Sequence, residues 1–373
     1  MNKTVFKKRL EKIWDWMVQE EIAMTMFEDA EGKRDATIRW LSGHPFDSLL
    51  FLSAERKSVI VPWDVNMALA YAYGDYMMPY NQFNRDSQTA VDAVADILNI
   101  PSGAKIEIPA VTPYPVFLDF IESFPSYDII CRKECTGSYA KDLRIIKDDD
   151  EIALLRRAAD ITNKIINLIE KKVRDGKIKT EADAAILIEL ESRKYGCEGT
   201  SFETLAAGQD RSFGIHAFPS WTNAPFGGKG LSILDFGLRY HGYCTDVTLT
   251  FVRDASPAQL KMVGLVEKAA KTALEQLVNG NDIAMAAAAV DKLFKKSKKS
   301  MDHGLGHGIG LDVHENPIIK SNSAGKWILA PGMVFSVEPG LYDPVHGGCR
   351  LENDILMTET GYEILTKARI IWL

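Results

Sequence analysis

The sequence predicts an α+β protein of two domains, a smaller α/β domain followed by a larger one that combines helix pairs with groups of strands. Its 373 residues exceed the usual length of a single domain. A polar stretch at 132–140 contains Gly137 and Ser138 and lacks apolar periodicity, which is typical of a boundary. We therefore predict domains at 1–139 and 140–373.

The first domain is predicted to begin with a helix and to continue as alternating strands and helices. Apolar residues at 6, 10, 13, 14 and 17 recur at spacings of three and four, as on one helix face. The following segments are predicted as strands at 38–41, 49–52 and 58–61, a helix at 90–98, a strand at 105–108, and a further helix and strand ending near Cys131. This alternation favours a compact α/β domain.

The second domain is predicted to alternate helix pairs with strand groups. Amphipathic periodicity predicts helices at 152–169, 184–191, 260–277 and 283–294. Apolar runs predict strands at 231–236, 244–252, 332–337 and 349–357. The order fits two similar halves, without a low-complexity tract or a solenoid repeat.

Composition and charge exclude several classes of protein. A formal net charge of −7 and a pI near 5.6 argue against a surface that neutralises nucleic acid or anionic lipid. The charged N-terminus lacks a secretory apolar core, and no window approaches the roughly 20 apolar residues that span a membrane. Five scattered cysteines without a C-x-x-C pair suit reduced thiols. We expect a soluble, cytoplasmic protein that binds neither nucleic acid nor membranes.

Two aspartates mark the first element of a candidate site. Asp235 ends an apolar strand, residues 237–242 can turn the chain, and Asp246 begins the next apolar run. A hairpin would bring the two carboxylates together. Inside a sheet they would be desolvated and would repel each other unless a cation or proton compensated them. The alternative is that both lie at exposed strand ends.

Histidines and glutamates provide the remaining candidate ligands. Three of the seven histidines fall within the glycine-rich segment 303–314, a composition that favours metal binding or catalysis. Glu338 and Glu352 each interrupt an apolar strand, where a charge requires a partner. Arg350 shares a strand face with Glu352, so an ion pair between them is the alternative explanation.

Together, four carboxylates and one imidazole make an oxygen-rich set for two divalent ions. Mn²⁺, Co²⁺, Fe²⁺ and Zn²⁺ all suit such ligands. Paired ions can lower the pKa of a shared water, so the set indicates hydrolytic chemistry. The candidate metal ligands are Asp235, Asp246, Glu338 and Glu352, together with one of the histidines His303, His307 and His314.

These blocks, in this order and spacing, resemble the pita-bread metallopeptidases, which include aminopeptidase P, prolidase and methionine aminopeptidase. The resemblance covers most of the chain after about residue 142 and begins with Leu143-Arg-Ile-Ile-Lys-Asp-Asp-Asp-Glu-Ile. The earlier part, with Arg39-Trp-Leu-Ser-Gly, is more weakly similar to the N-terminal domain of prolidases, aminopeptidases P and creatinase. The resemblance implies a C-terminal pita-bread domain after a smaller α/β domain.

The resemblance also implies how the ligands divide between the metals. Asp235 would bind one ion, and His307 and Glu338 would bind the other. Asp246 and Glu352 would bridge both. Mn²⁺ is the first expectation for the two ions.

Further residues receive roles from the same resemblance. His216, in Gly214-Ile-His-Ala-Phe-Pro, matches a histidine near the scissile group, and His314 matches one that stabilises the tetrahedral intermediate or positions substrate. Glu338 would also take the proton of the attacking water. Arg350 would contact substrate or orient a glutamate, and His303 would contact substrate or support the site.

The activity implied is hydrolysis of the peptide bond before proline in short peptides, by a homodimeric Xaa-Pro dipeptidase or Xaa-Pro aminopeptidase. Two departures from the family pattern qualify this expectation. Leu249 replaces an arginine, and Asn353 replaces an acid that often follows the bridging glutamate. The alternatives are a metal-dependent hydrolase or lyase acting on a non-peptide substrate, and a pita-bread module that binds without catalysis.

Overall fold

The computed structural model describes residues 3–373, and the chain divides into two compact units that meet in sequence at Leu143 and Arg144. The polar stretch at 132–140 is not wholly irregular. Its second half enters a helix in which Thr136 and Ala140 are buried, so the sequence-based boundary of 139/140 falls inside this helix. Among the described residues, no helix combines the length and the apolar character needed to cross a bilayer.

The first unit is a six-stranded mixed sheet with helices. Its helices are α1 (Lys3–Gln19), α2 (Ala36–Ser42), α3 (Val65–Tyr71), α4 (Ser87–Ile97), α5 (Tyr114–Ser123) and α6 (Thr136–Leu143). Its strands are β1 (Ile22–Asp29), β2 (Ser48–Ser53), β3 (Lys57–Pro62), β4 (Tyr76–Met77), β5 (Lys105–Glu107) and β6 (Asp128–Ile130). The strand order is β4-β3-β2-β1-β5-β6, with antiparallel pairs in the centre and parallel pairs toward both edges.

One prediction for this unit is wrong: residues 38–41 form part of helix α2 rather than a strand. The Asp35 side chain accepts a hydrogen bond from the Thr37 amide and caps the helix. Ile38, Trp40 and Leu41 are all buried. Because a short apolar run suits a buried helix as well as a buried strand, periodicity alone could not distinguish them.

The second unit contains four long helices and fourteen strands or short strand segments among its described residues. The helices are α7 (Asp149–Arg174), α8 (Glu181–Lys194), α9 (Pro257–Leu274) and α10 (Ala284–Lys296). The strands are β7 (Gly199–Thr200), β8 (Leu205–Ala207), β9 (Gly230–Phe236), β10 (Leu238–Tyr240), β11 (Tyr243–Cys244), β12 (Val247–Arg253), β13 (Gly306–Gly308), β14 (Glu315–Ile319), β15 (Val334–Val337), β16 (Gly340–Asp343), β17 (Gly347–Arg350), β18 (Asn353–Thr358), β19 (Gly361–Ile364) and β20 (Ile370–Trp372).

Helix pairs and sheets occur twice in this unit. Apolar residues of α7 and α8, among them Ile165 and Ile188, form a core with Leu234 and Leu249 of the sheet β20-β12-β9-β8. Residues of α9 and α10, such as Val266, form a second core with the sheet β14-β13-β15-β18-β19. The predicted α+β class is therefore confirmed, and the repeated arrangement agrees with two similar halves.

The two sheets meet where the candidate acidic residues lie. The Glu352 amide donates to the Thr248 carbonyl at 3.3 Å, which joins the β17–β18 connection to β12. The Asp246 amide donates to both carboxylate oxygens of Asp354, at 3.1 and 3.3 Å. Residues from distant parts of the chain are thus fixed beside one another.

Candidate metal centre

All five predicted ligands lie on the strands at this junction or directly beside them. Asp235 is near the end of β9, Asp246 immediately precedes β12, and His307 is the central residue of β13. Glu338 directly follows β15, and Glu352 lies between β17 and β18. The register pairs residues 236 and 247 across β9 and β12, so the predicted hairpin does bring the two aspartates together.

The side chains form overlapping groups. Oxygens of Asp235, Asp246 and Glu352 lie within 4.8 Å of one another, and so do the ligand atoms of His307, Glu338 and Glu352. The His307 Nε2 is 3.6 Å from an oxygen of Asp246 and 3.6 Å from an oxygen of Glu338. A third group joins Asp246 and His307 to His314, and because Glu352 belongs to both of the first two groups, the arrangement can serve two adjacent cations.

The electrostatics of these carboxylates fit cation binding. The Asp235 Oδ1 and Asp246 Oδ1 atoms are buried and have no hydrogen-bond partner. Burial, followed by the charges of neighbouring carboxylates, raises the pKa values of Asp246 and Glu338 well above their usual range and that of Glu352 to about 7. Buried carboxylates that repel one another are stabilised by a shared cation. The residues present therefore fit a divalent metal centre.

His307 has the environment of a neutral metal ligand. Burial, and secondarily His314, lowers its pKa to about 4. Its Nδ1 lies 3.2 Å from the Gly308 carbonyl, so an Nδ1–H donor leaves the Nε2 lone pair facing Asp246 and Glu338. Gly306 permits the close strand packing here, because a Cβ would lie 2.0 Å from the Ser336 carbonyl oxygen.

Arg350 does not form the ion pair with Glu352 that was considered above. Its Nη2 donates to Asp235 at 2.6 Å, its Nη1 donates to the Tyr342 hydroxyl at 2.7 Å, and its Nε donates to the Thr248 hydroxyl at 2.9 Å. Thr248 in turn donates to Glu352 at 2.7 Å. Since Arg350 is only 2% exposed, its guanidinium serves protein groups and offers little surface to a substrate.

The three predicted histidines outside the metal-ligand set also lie near the centre. The His314 ring centroid is 4.2 Å from that of His307, and partial desolvation lowers the His314 pKa although much of its side chain is exposed. His303 Nε2 lies 3.1 Å from the Tyr342 hydroxyl. His216 is exposed on an irregular loop and is close enough to His303 and His314 to lower their pKa values.

Ion pairs made by two buried basic side chains hold the segment that carries His314. Arg144 donates to Asp312 at 2.8 Å and to Glu315 at 2.5 Å. Lys147 donates to the other carboxylate oxygen of Glu315 at 2.8 Å. Because Asp312 and Glu315 flank His314, the side chains of Arg144 and Lys147 anchor this segment on both sides of the histidine.

Both departures from the family pattern lie away from the clustered carboxylates. Leu249 is buried among apolar residues of the α7–α8 core, while Thr248 and Thr250 occupy the face of β12 directed at the site. Asn353 accepts from the Ala368 amide at 2.7 Å and donates to the Ala368 carbonyl at 3.2 Å. A carboxylate could not donate that second bond, so the asparagine suits this contact.

Sequence reasoning missed three residues that contact the predicted site residues. Tyr342 and Thr248 bond Arg350, and Thr248 also bonds Glu352. Asp354 accepts the Asp246 amide. Strand alternation could have indicated two of them. Thr248 lies two residues after Asp246 and Asp354 lies two residues after Glu352, so each shares a strand face with a predicted ligand.

Comparisons with known proteins agree with this geometry. A profile of metallopeptidase family M24 matches residues 153–359. An uncharacterized peptidase of Methanocaldococcus jannaschii is 34% identical over 232 residues, 62% of this chain and 66% of that protein. The Xaa-Pro dipeptidase of Pyrococcus furiosus is 33% identical over 254 residues, 66% of this chain and 70% of that protein. The matches thus span about two thirds of the length of these curated relatives.

A solved structure extends the similarity to the whole chain. The crystal structure of recombinant prolidase from Thermococcus sibiricus superposes with a TM-score of 0.84 at 26% identity and covers 100% of both chains. The pita-bread fold implied by the sequence blocks is therefore confirmed. The chain belongs to metallopeptidase family M24.

Proposed function

We propose that this chain hydrolyses the peptide bond before proline in short peptides, as an Xaa-Pro dipeptidase or an Xaa-Pro aminopeptidase. The observation that carries the proposal is the cluster of five ligand side chains, with its two buried carboxylate oxygens that lack hydrogen-bond donors. The names of the relatives, prolidase and Xaa-Pro dipeptidase, support proline specificity and favour the dipeptidase.

The proposed cofactors are two divalent ions, with Mn²⁺ preferred and Co²⁺, Zn²⁺ or Fe²⁺ also suitable. Asp235 would hold one ion, His307 and Glu338 would hold the second, and Asp246 and Glu352 would contribute to both. The membership of Glu352 in both side-chain groups supports this division. Bound ions would lower the pKa of a shared water and polarise the scissile carbonyl.

The chain's own residues would move protons and orient the reacting groups. Glu338 would accept the proton of the attacking water, a role supported by its half-buried position beside His307. His314, neutral at pH 7 because its pKa is lowered, can donate a hydrogen bond to the oxygen that gains charge. His216 would position the scissile group from the loop between β8 and β9.

Arg350 is better suited to orienting Asp235 than to contacting substrate. Its guanidinium donates to Asp235, Tyr342 and Thr248, which together surround one edge of the cluster. Tyr342 also contacts His303, so His303 would support this network from the substrate side. We therefore place both residues as positioning groups.

We also propose a homodimer in the cytoplasm that acts on short proline-containing peptides. The five free cysteines among the described residues support a reducing compartment. The homodimer rests on the family resemblance, and light scattering coupled to gel filtration would measure it.

A peptide panel tests the activity. The metal-reconstituted protein would be incubated with Xaa-Pro dipeptides, Xaa-Pro-Yaa tripeptides and matched Xaa-Ala peptides, and the products separated by mass spectrometry. Cleavage of only the dipeptides identifies a dipeptidase, and cleavage of the tripeptides before proline identifies an aminopeptidase. The Asp246→Asn protein, purified by the same procedure, serves as the control for contaminating peptidases. Intact peptides in the presence of bound metal would overturn the proposal in favour of a non-peptidase or a binding module.

A further inference from the structure

Glu181 is a buried carboxylate that the proposed reaction does not use. It is the first residue of α8 and is fully buried, in a position where a glutamate would ordinarily face solvent. Its own helix does not need it as a cap, because Thr180 and Asp183 form a complete capping box at this end. A buried carboxylate that does not cap its helix requires another explanation.

The carboxylate of Glu181 joins the two ends of the loop that carries His216, defined here as the His216 loop (208–222). Its Oε1 accepts from the Gly208 amide at 2.8 Å. Its Oε2 accepts from the Thr222 amide at 2.8 Å and from the Thr222 hydroxyl at 2.6 Å. One side chain thus holds the first and the last residue of the loop.

Further contacts tie the interior of the loop to the same carboxylate. The Arg211 Nε lies 3.2 Å from Glu181 Oε1, and the Arg211 Nη2 donates to the Pro219 carbonyl. Gly208 is packed closely against the segment that follows the loop, because a Cβ on Gly208 would lie 2.1 Å from the Pro225 carbonyl oxygen. Residues on both sides of His216 are therefore linked through Arg211 to Glu181.

The middle of the loop is attached to the candidate metal centre. The Arg350 Nη1 donates to the Ile215 carbonyl at 3.0 Å, directly before His216, while its Nη2 holds Asp235. The Gly348 amide donates to the Ser212 hydroxyl at 3.1 Å. With its ends held by Glu181 and its middle held by Arg350, the loop backbone is anchored directly before His216.

We propose that Glu181 is a positioning residue that acts through His216: its buried carboxylate closes the His216 loop and thereby sets the imidazole beside the reacting groups. The proposal rests on the function proposed above for its kinetic consequence. The closure of the loop by Glu181 is independent of that function and can be measured separately.

The test is a double-mutant cycle between Glu181→Ala and His216→Ala, with Asp183→Ala as the matched control. Asp183 lies in the same helical turn and accepts from the Lys179 and Thr180 amides, so its loss weakens the helix end without touching the loop. Displacement of a reacting group by about 1 Å lowers the reaction rate on the order of 10²-fold. Glu181→Ala should therefore lower kcat/KM by up to that factor, mainly through kcat, and should leave the metal content unchanged. If Glu181 acts through the His216 imidazole, adding Glu181→Ala to the His216→Ala protein should lower kcat/KM by less than about 3-fold.

Hydrogen exchange measured by mass spectrometry gives a readout that does not depend on activity. Segment 208–222 should exchange faster in Glu181→Ala and, to a smaller extent, in Glu181→Gln, which retains one carbonyl acceptor. Asp183→Ala should leave this segment unchanged. If Glu181→Ala does not fold, Glu181→Gln serves in both measurements.

The outcomes separate the two proposals. An equal loss of kcat/KM with and without His216, or the same loss in Asp183→Ala, would overturn the positioning role. Unchanged exchange in both Glu181 variants would overturn the loop closure itself. A wild-type protein that cleaves no peptide would refute the proposed function, while the exchange measurement would still decide whether Glu181 closes the loop.

Discussion

Asp246→Asn should make the metal-free protein more stable while abolishing metal binding and activity. Asp246 is buried, its Oδ1 has no hydrogen-bond partner, and its other oxygen is 3.6 Å from His307, beyond hydrogen-bond distance. Burial, Glu352 and Asp235 all raise its pKa, so the ionised form is disfavoured without a cation. Asparagine keeps the shape of the side chain and removes the charge.

The expected gain follows from the buried Asp246 oxygen that has no partner. A buried polar atom without a partner costs about 1–3 kcal/mol, and a charged one costs more, so removal of the charge should stabilise the metal-free fold by about 1–3 kcal/mol. For a unit of the length of 144–373, each kcal/mol moves the melting temperature by about 2–4 °C. The wild type instead gains about 4.1 kcal/mol from metal present at 1,000 times its Kd, and the asparagine variant should not. Metal should therefore reverse the order of stability.

Calorimetry compares the melting temperatures of the wild type and the variant, first after chelation and again after addition of Mn²⁺. Elemental analysis measures the bound metal. Asp291→Asn is the matched control, because Asp291 is an exposed carboxylate on α10. A metal-free Asp246→Asn protein that melts below the metal-free wild type would mean that the carboxylate has a stabilising partner. Full metal content in the Asp246→Asn protein would refute the assignment of Asp246 as a metal ligand.

Two further predictions concern the histidines and pH. His216→Ala and His314→Ala should each keep the full metal content while kcat falls by about 10²–10⁴-fold, as for loss of a group that assists proton transfer; metal loss measured by elemental analysis would contradict their placement outside the ligand set. Glu352 has a raised pKa of about 7, so below that pH protons should compete with the cation. Titration calorimetry should then show affinity falling by up to about tenfold per pH unit for each proton displaced, and affinity that rises as the pH falls would refute this.

Local patterns were sufficient for the long helices and for several of the strands, but they did not predict β1, the longest strand of the first unit. The stripe from Phe6 to Met17 predicted α1, and the apolar runs before Asp235 and after Asp246 predicted β9 and β12. Helix and strand periodicities differ clearly over long segments. The error at 38–41 arose in a segment of only seven helical residues, where the capping contact of Asp35 decided the conformation.

The partner of Arg350 could not be read from its spacing to Glu352. Residues two apart on a strand share a face but are nearly 7 Å apart along it. The closer carboxylate, Asp235, lies more than one hundred positions away and reaches Arg350 at 2.6 Å. Glu181 was missed for the same reason, since its partners Gly208 and Thr222 follow it by 27 and 41 positions.

The amino-acid sequence by itself determined the type and order of the long helices and of several strands, and it identified which ionisable side chains interrupt apolar strands. Those properties depend on the chemistry of neighbouring residues, which a linear pattern contains. Only the tertiary structure decided which buried charges meet, how the His216 loop is closed, and which face of β12 carries Thr248 toward Glu352. The physical reason is that a buried polar group takes its partners from whichever strands pack beside it, and their register is set by the core of the whole unit.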